Sequence, residues 1–66
     1  MSPRELGTTV RRLRRKAKLT QVQLAERAQI SQPYLSQLEA GRAKRPSLRM
    51  AQRLAKALGV KIDELI

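Results

Sequence analysis

Residues 30 to 41 read ISQPYLSQLEAG, a segment without lysine or arginine in a chain whose net charge is +10. The chemistry it offers is neutral hydrogen bonding. A glutamine amide carries one acceptor oxygen and two donor hydrogens, enough to pair with the N6 and N7 edge of adenine in a DNA major groove. Such a bidentate pair separates bases by roughly 1 to 3 kcal/mol. Gln32 and Gln37 are five positions apart, about 500° around a helix, so they fall within about 140° of each other. Ser36, four from Gln32, lies on nearly the same line. The plainer alternative is that these exposed polar groups are only solvated. Pro33 offers a groove apolar contact, for example with a thymine methyl, or merely starts a helix. Tyr34, the only aromatic residue, could bond a phosphate or cap the core with its ring.

Charge lies on either side of this segment. Fifteen Lys and Arg oppose five acids, with a sequence pI near 11.7, a balance that points to a polyanionic partner. Lys44 and Arg45 supply mobile cations just after the neutral segment. Arg11, Arg12, Arg15, Lys16 and Lys18 surround the first helix, so they cannot all face one duplex. Glu39 is one of the few acids, and a carboxylate there would repel DNA unless a cation neutralised it.

Local signals define the elements that hold these groups. Leu6, Val10, Leu13 and Ala17 recur at helical spacing and predict one apolar stripe on a first helix. In LTQVQ, Thr20 is a cap, Gln23 completes a capping box, and Leu19 can staple to Leu24. The same grammar returns at ISQPYL: Ser31 caps, Pro33 fits the first turn, and Ile30 can staple to Leu35. Gly41 predicts a left-handed stop near residue 40. Ser47 caps a fourth helix whose buried stripe is Met50, Ala51, Leu54, Ala55 and Leu58, with Gly59 ending it. A short fifth helix is expected around Ile62 to Leu65. Helices two and three, joined by a short turn, form a helix-turn-helix, an arrangement whose second helix normally enters the major groove.

The string LTQVQLAERAQISQPYLSQLEAGRAKRPSLRMAQRLAKALGVKIDEL resembles the phage-repressor and Cro-type family, also called xenobiotic-response-element regulators. The matching pieces are LTQxxLA, the ISQ start and LSQLEAG end of helix three, the KRPS loop, and ALGVxxDEL. The resemblance covers nearly the whole chain and implies an all-α, five-helix lambda-repressor-like DNA-binding domain spanning 1–66. It implies a sequence-specific transcriptional regulator, in the first instance a repressor, binding a palindromic operator as a two-fold dimer through helix three, about 32–40. Position by position, it assigns base contact to Gln32, Pro33 and Gln37, beside Ser36 from the helical geometry. Backbone contact falls to Gln21, Lys44, Arg45 and Arg14, with Tyr34 as a further phosphate or edge contact. Arg14 and Glu39 match a pair joining helix one to helix three. Val60, Ile62, Leu65 and Ile66 form a short apolar patch for weak dimerisation.

Three positions depart from the family's pattern, the first being Pro33, which stands where small polar residues are common. Gln29 stands where glycine is common, which implies either a strained left-handed turn or an altered one. Lys61 stands where a Ser or Thr cap is common, so the fifth helix starts weakly.

Other function classes fit less well. The chain has no His and no Cys, no Gly-rich phosphate loop, and only Asp63 and Glu64 as adjacent carboxylates, so neither an enzyme nor a cofactor or metal site is expected. One aromatic residue gives no stacking platform for single-stranded RNA. An antitoxin or a bridging factor between transcription proteins, built on the same fold, remains the alternative, with a protein partner in place of an operator. No apolar run approaches the roughly 20 residues of a membrane span, which suggests a cytoplasmic protein. Residues 1–66 are expected to be either a small complete regulator or, in preference, the DNA-binding part of a longer one.

Overall fold

The structure is a computed structural model and describes residues 2–65. Four α-helices, α1 (Pro3–Lys16), α2 (Gln21–Ala28), α3 (Gln32–Glu39) and α4 (Leu48–Leu58), are followed by a 3₁₀ turn, Ile62–Glu64. Each helix begins on a small hydroxyl residue. Ser2, Thr20, Ser31 and Ser47 each accept a hydrogen bond from the backbone N–H three residues on, satisfying a donor that the helix itself leaves open. At Thr20 the capping box is reciprocal, because Gln23 Oε1 accepts from the Thr20 N–H at 2.9 Å.

The helix ends are equally uniform. Beyond α1, α2, α3 and α4 the chain passes through a left-handed residue at Lys18, Gln29, Gly41 and Gly59 respectively. In each case two backbone bonds close the last turn, as where Gly41 N–H donates to Leu38 and Arg42 N–H to Gln37. This is the Schellman arrangement, in which the reversed residue lets the chain leave the helix with its last carbonyls bonded. At α3 the left-handed residue is Gly41, one beyond the terminal Ala40. Gln29 resolves the two readings of its turn in favour of a left-handed backbone, with φ 58° and ψ 46°.

Packing follows from the apolar stripes. Val10, Leu24, Leu35, Leu38 and Leu54 are fully enclosed, each contributing about 1.5 to 3 kcal/mol by leaving water. Leu19, Leu24 and Leu35 all enter this core and Ile30 packs partly buried against it, so the residues of both expected staples lie in or on the core. α1 packs against α3, and α2 against α3 and α4. Ala17 departs from the expected stripe: it is exposed at the cap just beyond Lys16, the last residue of α1, rather than part of the core.

The expected fifth helix is corrected to a 3₁₀ turn of three residues. Lys61 supplies no side-chain cap there, and so short a segment gains too few bonds to nucleate an α-helix. Leu65, expected on a dimer patch, is 2% exposed and belongs to the core. It anchors the chain end instead of facing a partner. Ile66, named with it, lies outside the described residues.

Candidate nucleic-acid interface

α3 presents its first turn outward because its cap and its core residues fix both its position and its rotation. Leu35 and Leu38 are buried while Gln32, Pro33 and Gln37 are exposed, so the three residues expected to meet a groove lie on the open side of the helix. Ser36 is half-buried, and Tyr34 packs its ring partly against the core. Lys44 and Arg45 are exposed in the loop after α3.

Behind this open face lies a buried carboxylate. The Glu39 side chain is inaccessible to solvent, and Arg14, 12% exposed, closes on it. Arg14 Nε donates to Glu39 Oε2 at 2.7 Å and Nη2 to Oε1 at 3.0 Å, a two-pronged bond from α1 to α3. Its Nη1 donates to the Leu19 carbonyl at 2.9 Å, fixing the connection into α2 as well. A guanidinium bonded through all three nitrogens leaves little for a phosphate. Arg14 therefore builds the scaffold that joins α1, α3 and the entry to α2.

Arg11, one of the cations expected around the first helix with no particular partner, adds a second charge beside the acid. Its Nε lies 3.6 Å from Glu39 Oε1, and its Nη2 donates to the Glu39 carbonyl at 3.4 Å. Burial works to raise the Glu39 pKa, but bonds from Arg14 and Gln21 and the charges of Arg14 and Arg11 outweigh it. The net direction is down, so Glu39 is ionised at neutral pH. The Arg14 pKa is raised, chiefly by its bond to Glu39.

The network extends from the carboxylate toward the surface. Gln21, the first residue of α2, donates from Nε2 to Glu39 Oε1 at 3.1 Å. Its Oε1 accepts from Gln32 Nε2 at 2.9 Å. Gln21 thus links the buried acid to the first residue of the exposed helix. Gln32 keeps its oxygen and one N–H, an acceptor beside a donor, for a ligand.

Gly7 makes the approach of α1 to α3 close enough for these bonds. It is buried within α1, and a Cβ there would meet the Leu38 carbonyl oxygen and come within 2.9 Å of the Glu39 carbonyl oxygen. A glycine inside a helix costs about 1 kcal/mol against alanine, and that cost was the available sequence signal for a packing role.

The helix-turn-helix family matches residues 10–65, from the middle of α1 to the final core residue. The chain belongs to this family. Within it, the chain is 39% identical over 61 residues to the immunity repressor of Bacillus phage phi105, covering 92% of this chain and 42% of the repressor. It is 45% identical over 61 residues to an uncharacterized HTH-type transcriptional regulator of Sinorhizobium fredii, covering 92% of this chain and 78% of that protein. Thus it spans about two-fifths of the phage repressor and most of the second relative. Among solved structures, the restriction-modification controller protein C.AhdI from Aeromonas hydrophila superposes with a TM-score of 0.91 at 30% identity, over 97% of this chain and 96% of that one. The helix-turn-helix is therefore shared in both sequence and shape. Among the described residues, no helix is long and apolar enough to cross a membrane.

Proposed function

We propose that this helix-turn-helix chain is a sequence-specific, double-stranded DNA-binding transcriptional regulator, acting as a repressor and reading the major groove with α3. The observation that carries the reading is the bonded connection from buried Glu39 through Gln21 to exposed Gln32. A solvated glutamine needs no such support; a glutamine that must meet a base edge does, because a loose donor loses discrimination.

Gln32, Pro33, Ser36 and Gln37 form the base-reading set, with Gln32 giving adenine its acceptor and donor pair. Gln21 has a second Nε2 hydrogen for a phosphate at the start of α2, where the helix dipole favours an anion. Lys44, Arg45 and the Tyr34 hydroxyl hold phosphates around the reading helix.

Size supports a two-fold dimer. The chain measures 24 × 24 × 20 Å, shorter than the roughly 34 Å between half-sites one turn apart. Reading a palindrome therefore takes two copies. Val60 and Ile62, partly exposed beside the core, form the contact between them, small enough to leave assembly weak without DNA.

The test is selection of binding sites from random duplexes, followed by footprinting on the recovered sequence. A palindrome bound some 10³-fold or more above random DNA is the expected result. Uniform, weak, salt-sensitive enrichment would overturn it and leave a protein-interaction role for the same fold.

A further inference from the structure

We propose that Glu39, although buried and remote from any base, is a positioning residue that sets which way round Gln32 presents its donor and acceptor. The proposal rests on the reading of α3 as the base-contacting helix. A carboxylate ionised at neutral pH only accepts hydrogen bonds. Glu39 Oε1 stands 3.1 Å from the Gln21 amide, so Gln21 must turn its Nε2 inward. A reversed Gln21 would set its own oxygen against the anion.

The consequence passes outward one residue at a time. With Nε2 held inward, Gln21 has only its oxygen to offer Gln32, and Gln32 answers with Nε2 across 2.9 Å. The outward edge of Gln32 then carries Oε1 and the remaining N–H in one fixed order. That order meets the N6 donor and N7 acceptor of adenine. Reversing Gln21 would reverse Gln32 and exchange donor for acceptor at the same place in the groove, breaking the pairing without moving either helix.

Arg14 and Arg11 contribute by keeping the acid ionised. Arg14 also takes Glu39 Oε2, which leaves Oε1 to be shared with Gln21. A neutral amide at position 39 could show Gln21 either its oxygen or its nitrogen, so the order would no longer be dictated.

The experiment compares base preferences, position by position, for the wild-type chain, Gln32→Ala, Glu39→Gln and Gln21→Met, by selection from random duplexes at equal concentrations of folded protein. Gln32→Ala identifies the base pair read by Gln32. At that pair Glu39→Gln is expected to lower the adenine preference about tenfold while preferences at the other positions hold. Gln21→Met should produce the same local loss, and adding Glu39→Gln to it should change the profile no further. Because Glu39→Gln strands Arg14 and can unfold the chain, the double variant Arg14→Met, Glu39→Gln serves as its folded counterpart, since both charges leave together. Retained adenine preference in a folded variant without the carboxylate, or an equal loss at every position, would overturn the proposal. Failure of the wild-type chain to select any sequence would instead overturn the reading of α3 as a base-contacting helix.

Discussion

Arg14 and Glu39 stand 25 residues apart in the chain and meet through hydrogen bonds of 2.7 and 3.0 Å, joining the last turn of α1 to the end of α3. Replacing Glu39 by Gln keeps the shape and removes the charge, leaving Arg14 beside a neutral amide. Breaking one partner of a buried pair costs about 3 kcal/mol or more. For a domain of this size each kcal/mol corresponds to roughly 4 to 8 °C. Thermal unfolding followed by circular dichroism should therefore show Glu39→Gln melting more than about 10 °C lower. An unchanged melting temperature would mean that the pair contributes nothing net.

The same carboxylate sets an acid limit. The Glu39 pKa lies below its ordinary 4.5 in the folded chain, so the unfolded chain binds this proton more readily. Its stabilisation is fully present above the unfolded value and disappears as pH falls through the folded one. Melting temperatures measured from about pH 7 to pH 2 should show the gap between wild type and Glu39→Gln constant above about pH 5, then narrowing below about pH 4. A gap that shows no narrowing at all between about pH 5 and pH 2 would contradict the assignment.

Gly7→Ala should destabilise the chain although alanine is the better helix former by about 1 kcal/mol. The added methyl meets the backbone carbonyls of Leu38 and Glu39, and backbone cannot swing aside as a side chain does. Urea unfolding should place the variant's midpoint below wild type; a higher midpoint would show that α1 and α3 can separate at little cost.

Gln29→Gly and Lys18→Gly should each stabilise by about 1 kcal/mol, because both residues hold a left-handed backbone that costs a side chain roughly 1 to 2 kcal/mol. Part of that gain is offset by the larger entropy glycine loses on folding. Urea midpoints above wild type for both variants are expected; a lower midpoint for either would show that its side chain contributes more than the strain costs.

Removing Lys44 or Arg45 should change salt dependence rather than base choice. Each phosphate that is no longer neutralised lowers the log-log slope of affinity against salt by about 0.9. Titrations of Lys44→Ala and Arg45→Ala on one duplex at several salt concentrations measure this, and an unchanged slope would remove that residue from the phosphate-binding set.

Much of the fold is legible because its signals are local. Thr20, Ser31 and Ser47 each stand just before an apolar-periodic run, and a cap acts within three residues of itself. The link between Arg14 and Glu39 came only from resemblance, since nothing local joins residues 25 apart. Gln21 shows the limit more sharply: it reaches Glu39 over a separation of 18 residues and Gln32 over 11, bonds that exist only once α2 and α3 have packed. Lys18 carried no warning of its left-handed backbone, because any residue type can be forced there when the closure behind it is strong enough. The end of the chain misled in the opposite direction. ALGVKIDEL has helical spacing, yet Leu65 enters the core after one 3₁₀ turn, and an apolar pattern alone does not say how many turns precede the buried residue.

The close approach at Gly7 has a kinetic meaning as well. With no side chain between them, α1 and the end of α3 touch backbone to backbone, and Arg14 ties the same two elements together. Neither can open while the other stays shut. Their amide hydrogens should trade with solvent deuterium at one common rate, as a single cooperative unit, slower than those of the uncapped turn at Ile62–Glu64.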